Sequence, residues 1–160
     1  MLPALFKGKK RDEEILWLAE IHRTTLQFST LGASVDTLDA ARSLDAIVVE
    51  RGTTSENLLK GLGFDNVQGS SSPEASANML ASGRATAWLL TEDMMRTTWH
   101  KLGMSAPLSV GEDVHAIPVF LVASTDLPDE VGRAYRAAIA DMASDGTLTR
   151  IWQRYAVVPE

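Results

Sequence analysis

The sequence contains no cysteine. That excludes a disulfide framework, a thiolate nucleophile and a zinc–thiolate site. It also lacks a long apolar run. The longest block, Ala116 to Ala123, is interrupted by Pro118 and falls well short of the roughly 18 residues that span a bilayer. Basic excess is missing too: fifteen Lys and Arg against twenty-one Asp and Glu leave a net charge of −6. A free nucleic-acid binder is usually basic, so no nucleic-acid partner is expected. The opening residues, Met1 to Lys7, lack the basic-then-apolar layout of a signal peptide. The chain is therefore expected either to work in the cytosol or to be the mature or shortened part of something longer. What is present is 160 residues, 45% hydrophobic and 22% charged. That suffices for one globular domain or two small lobes, and it is too apolar for a mainly disordered chain.

Along the chain, a basic cluster (Lys7, Lys9, Lys10, Arg11) reads as a solvated face ahead of Asp12-Glu13-Glu14. The acids, followed by Ile15, Leu16, Leu18, Ala19 and Ile21, predict a helix of about ten residues. Thr24 to Leu31 alternates loosely and predicts a strand, and Val35 to Arg42 a short helix with Leu38 and Ala41 inward. Leu44 to Glu50 is a β-branched apolar run typical of a buried parallel strand. Thr53 and Glu56 then form a capping box opening a helix lined by Leu58, Leu59 and Leu62, ended at Gly61 and Gly63. Asn66 to Gln68 is a minimal strand. Ser72 as N-cap and Pro73 at the first helical position open the next helix, which Gly83 stops. Thr86 to Leu90 is a second buried strand, and Thr91 caps a helix running to about Lys101. Pro107 to Val110 and Ala116 to Ser124 predict strands, Pro128 to Met142 a helix with Val131, Tyr135, Ile139 and Met142 on one side, and Leu148 to Tyr155 a last amphipathic helix. Strand and helix thus alternate, which predicts a layered α/β fold with a mostly parallel sheet.

Little in this pattern carries catalysis. His22, His100 and His115 do not pair at ligand spacing, so no metal is expected. No nucleophile elbow and no phosphate loop occur, and no cofactor is implied. Glu92 and Asp93 are possible general acid–base groups, but first-turn acids usually serve the helix dipole. The informative feature is the strand-turn-helix at Val48 to Glu56. Ligands of open parallel sheets sit beyond the carboxyl ends of the strands, where helix starts offer free N–H groups. Gly52, Thr53 and Thr54 therefore form a candidate carboxylate cradle, against the plainer reading of a well-capped helix. The Thr91 turn, with Trp88 and Glu92 nearby, is the second candidate by the same rule. A strand tryptophan is more often core than ligand platform.

Taken together, these elements resemble the type II periplasmic solute-binding proteins, specifically the amino-acid-binding family of ABC importers. Thr37-Leu38-Asp39-Ala40-Ala41, Ala46 through Glu56 with its Gly-Thr-Thr turn, Met79 through Ala87 around Gly83-Arg84, and Asp145-Gly146-Thr147-Leu148 with Ile151 and Tyr155 are similar to that family's motifs, in its order, over about residues 36–156. The resemblance implies two three-layer αβα lobes joined by two crossing strands, with a ligand in the cleft between them. Residues 30–113 would form a nearly complete second lobe. Residues 1–29 and 114–160 would form the remainder of a partial first lobe, open to self-association. It implies that Thr54 meets the ligand carboxylate and that Arg11, six residues before Trp17, is the bidentate anchor. Gly8 stands where the family has a threonine ahead of that arginine. Thr91 stands where the family has the aspartate that receives the ligand's ammonium group; a neutral hydroxyl does not replace a carboxylate in that role. The function implied is non-catalytic binding of a small polar solute, an amino acid or other carboxylate, for delivery to an ABC transporter permease in the periplasm. The alternatives are a ligand-sensing effector or receptor domain and, on Glu92, Asp93 and His100, a dehydratase-like enzyme on the same scaffold.

Overall fold

The computed structural model describes residues 2–6 and 15–155. The Lys7–Glu14 charge run, Arg11 included, lies outside the described residues. In chain order the elements are β1 (Leu2–Phe6), β2 (Ile15–Thr30), α1 (Leu38–Ala41), β3 (Ile47–Glu50), α2 (Thr54–Gly61), β4 (Val67–Ser70), α3 (Pro73–Ala81), β5 (Ala87–Leu90), α4 (Glu92–Lys101), β6 (Ser109–Val110), β7 (His115–Ser124), α5 (Asp129–Ser144) and α6 (Thr147–Tyr155). The chain divides into two compact units, one formed by Met1–Thr24 with Ile117–Val157 and a larger one by Thr25–Ala116. The split falls inside β2 and β7 rather than at their ends. No described helix is long and apolar enough to cross a membrane.

The larger unit is built on β4-β3-β5-β2. β3 lies parallel to β4 on one side and to β5 on the other, and β2 closes the row antiparallel to β5. Right-handed crossovers explain where the helices go. The step from β3 to β4 moves toward the sheet edge and the step from β4 to β5 moves back, so α2 and α3 cover opposite faces. α2 packs on β3 and β4, and α3 on the strands and on α4. Side chains alternate along the central strands. Val48 and Trp88 join Ala77, Leu80, Met95 and Trp99 in one core layer, while Ile47, Val49, Ala87 and Leu89 are buried on the other face. Strands buried on both faces are why the sequence there reads as continuous apolar runs. The local stops also hold: Ser72 Oγ accepts from the Ala75 N–H, Pro73 opens α3, and Gly63 and Gly83 turn with positive φ.

In the smaller unit β1 pairs antiparallel with β7, and β7 neighbours β2. Here the structure corrects the sequence reading. Ile15 to Ile21 is strand, part of one sixteen-residue β2 that runs on through the strand expected from Thr24. The reason is non-local. Trp17 meets Phe120 of β7 edge-on, with ring centroids 5.4 Å apart. Trp152 of α6 donates its Nε1–H to the Ile21 carbonyl at 2.9 Å and stacks on His22 at 4.0 Å. In a helix the Ile21 carbonyl would be spent on its own ladder. Helix α5 forms where expected, but its Val131 and Tyr135 are exposed and only Gly132 is buried.

Candidate ligand-binding site

The two turns singled out above lie side by side. In the β3–β5 pairing Ile47 faces Ala87 and Val48 faces Trp88. Continued along the strands, the same register sets the Arg51 turn beside Thr91, beyond the carboxyl ends of both strands. A helix starts at each, and a helix start leaves its first N–H groups without carbonyl partners.

At α2 the capping chemistry is spent internally. Thr53 Oγ1 donates to the Glu50 carbonyl at 2.6 Å and accepts from the Glu56 N–H at 3.4 Å. The Glu56 carboxylate reaches back to the Gly52 N–H at 2.7 Å and holds Lys60 at 2.7 Å. The hydrogen bond from Lys60, then that from the Gly52 N–H, holds the Glu56 carboxyl below its ordinary range. Of the expected cradle, Gly52 supplies the turn through its φ of 75°, but its N–H already carries a carboxylate from the chain itself. The uncommitted donors are Thr54 Oγ1 and the N–H groups of Thr54 and Ser55.

At α4 the expected cap is not made. Thr91 occupies the N-cap position with extended backbone, yet its side chain makes no cap hydrogen bond. Thr91 is 5% exposed. The Glu92 N–H, the first of the helix, is taken by Gln27 Oε1 of β2 at 3.1 Å. The Glu92 carboxylate is held by Arg96, both contacts at 2.7 Å. Trp88 is likewise corrected as a ligand residue. It has 0% exposure, sits in the core layer, and donates its Nε1–H to Glu50 Oε1 at 3.0 Å. Arg11 lies outside the described residues.

Three residues here went unread in the sequence. Glu50, 7% exposed, ends β3 with Oε1 accepting from both Trp88 and Ser76 Oγ (2.6 Å), and its Oε2 is buried without a partner. Gln27 and Asp113 form the other missed contact, at 2.6 Å. Only the polar residue inside an apolar strand, Gln27 between Leu26 and Phe28, was a usable signal. Among the described residues, no group of three or more His, Asp or Glu is placed to hold a metal ion. His100 is in the last turn of α4 and Glu92 in its first, ~12 Å apart along the axis, so they form no catalytic pair.

No protein-family model matches the sequence, and no curated protein matches it. Solved structures do match. A histidine kinase sensor domain with similarity to periplasmic binding proteins superposes with a TM-score of 0.79 at 12% identity, over 96% of this chain and 68% of that one. The probable amino-acid ABC transporter extracellular-binding protein ytmK of Bacillus subtilis gives 0.74 at 18% identity, over 94% and 68%. The ancestral amino acid-binding protein AncCDT-1, a precursor of cyclohexadienyl dehydratase, gives 0.72 at 17% identity, over 96% and 66%. The fold is therefore that of the type II periplasmic binding proteins, and the chain spans about two thirds of the length of these structures.

Proposed function

We propose that the chain binds a small polar solute carrying a carboxylate, without turning it over. The observation that carries this reading is the pair of adjacent helix starts at the carboxyl edge of β3 and β5, with Thr54 and Thr91 unspent beside them. Backbone N–H groups and hydroxyls so placed suit a carboxylate. Thr54 would take the carboxylate with the free N–H groups of α2, and Thr91 a second polar group. Gly52 and Thr53 shape the turn. Binding proteins and ligand-binding cores among the structural neighbours support solute binding over catalysis. Delivery to a permease of an ABC transporter in the periplasm, with self-association through the smaller unit, is the physiological setting we infer. The sensor-domain neighbour favours ligand sensing as the second reading.

Thermal melts of the purified chain with amino acids, amines and dicarboxylates test the binding itself. A ligand at 100 times its dissociation constant adds about 2.7 kcal/mol, several degrees for a chain of this size. A selective shift with carboxylates, lost in Thr54→Ala and Thr91→Ala, is the expected result. Shifts that ignore both substitutions would overturn the assignment. Light scattering across a concentration series reads the self-association.

A further inference from the structure

We infer that Gln27 is a positioning residue: on the reading of the α4 turn as part of the ligand site, it couples that turn to the points where the chain enters and leaves the larger unit. Gln27 lies on β2 just past the unit boundary and is 8% exposed. Its Nε2 donates to Asp113 Oδ1 at 2.6 Å and to Thr25 Oγ1 at 2.9 Å. Thr25 Oγ1 donates its own hydrogen bond to the same Asp113 oxygen at 2.8 Å. A carboxylate only accepts, so the amide must present its NH2 to Asp113, and its oxygen is thereby turned toward the Glu92 N–H. A flipped amide would set two oxygens 2.6 Å apart and face donor with donor.

Asp113 belongs to the exit segment, which is fastened along β2. The Gly111 N–H donates to the Phe28 carbonyl and the Val114 N–H to the Leu26 carbonyl, both at 2.9 Å. Gly111 also lies close against the loop that follows β2: a Cβ there would run into the Val35 carbonyl. A threonine at the N-cap is ordinarily enough to cap a helix. Here Thr91 Oγ1 makes no cap bond, and the side chain that meets the first N–H of α4 comes from 65 residues away. A shift between Thr25 and Asp113 moves the Gln27 amide, and with it the start of α4.

The test uses the full 15N-labelled chain. Gln27→Leu removes both ends of the link. Gln27→Glu keeps an acceptor for Glu92 but sets a carboxylate against Asp113. Asp113→Asn alters only the far end. Hydrogen exchange of the Glu92 amide is the readout, with the Val48 amide as control. Loss of one hydrogen bond speeds Glu92 exchange roughly fivefold in Gln27→Leu. Asp113→Asn speeds it roughly twofold, because a charge-assisted bond becomes a neutral one, and it adds nothing in the Gln27→Leu background. Unchanged Glu92 exchange in Asp113→Asn overturns the coupling, and this arm and Gln27→Glu decide it if Gln27→Leu fails to fold. Succinate and L-glutamate, titrated against the Thr54 and Thr91 amide shifts, form the second arm. Weaker binding in Asp113→Asn than in the parent is expected; equal binding with altered Glu92 exchange overturns the positioning role. A parent chain that responds to neither probe counts against the ligand reading alone and leaves the exchange result to judge the coupling.

Discussion

Helices α2 and α5 carry similarly segregated apolar faces, yet they end in opposite situations. α2 places Leu59 at 0% exposure beside β3 and β4, whereas α5 leaves Val131 39% and Tyr135 37% exposed. The contrast extends to the whole of each unit. Among the described residues, eighteen of the twenty-three buried apolar side chains belong to Thr25–Ala116, with all nine buried polar ones. The other unit has Leu18, Ile117, Val119, Val122 and Ala123. Periodicity decides that a segment can be a helix; burial depends on what distant chain is brought to cover it. The larger unit is therefore expected to hold its own core, and the smaller one to contribute little that a single substitution could remove.

The largest test of that contrast is Trp88→Ala. Trp88 is fully enclosed by both the sheet and the α3–α4 layer, and emptying such a site costs about 3–5 kcal/mol. Denaturant midpoints should fall accordingly. A loss under 1 kcal/mol would mean that this core is loosely packed and that the two units are more alike than their burial suggests.

Glu50 comes next. Glu50→Leu removes the acceptor for Ser76 Oγ and Trp88 Nε1; Ser76 Oγ keeps Ser70 Oγ at 2.7 Å, but the buried Trp88 N–H is stranded, a cost of about 1–3 kcal/mol. Glu50→Gln keeps an acceptor and removes a buried charge whose Oε2 has no partner, so it should cost less than 1 kcal/mol or stabilise. If both variants lose equally, the negative charge itself is what this corner of the larger unit requires.

The same contrast explains what could be read in advance. From Leu44 to Lys101 the signals were local and agreed with one another: apolar runs, a Thr-Glu capping box, Ser-Pro at a helix start, glycines at the stops. There the strand–helix order needed no distant partner to be legible. Ile15 to Ile21 has the local pattern of a helix, but its strand state depends on β7 and Trp152, a hundred or more residues away. The site divides along the same line. The Thr53–Glu56 box spans one turn and could be read. That Gln27 would take the first N–H of α4 could not, since nothing within either segment records the other. Trp88 is misleading in sequence for a related reason: strand alternation says which side it faces, not that Glu50 ends beneath it.

A smaller effect is expected at Glu56. Its carboxyl is held below the ordinary range by Lys60 and by the Gly52 N–H. The folded value lies below the unfolded one, so the contribution is complete above the unfolded pKa of about 4.3 and disappears as pH falls through the folded value. Glu56→Gln should cost about 0.5–1 kcal/mol at pH 7, a modest figure because solvent screens the Lys60 pair. The gap between parent and variant should close on acidification toward pH 3. A gap that is constant with pH would show that Glu56 acts through its shape and not its charge.

The smallest expected effect bears most directly on the comparison. Tyr135→Ala in α5 removes a large ring, but one that is 37% exposed on a helix with a single buried residue. If the smaller unit stands in solution as described, the cost should stay within about 0.5 kcal/mol, well under that at Trp88. The measurement is worth making at two protein concentrations. A cost near zero in dilute solution that rises with concentration would mean that α5 is covered by a second copy, because a ring buried only in the associated state contributes stability by mass action. A cost of 2 kcal/mol or more at every concentration would place the ring inside the monomer's own core. The apparent imbalance between the two units would then be lost.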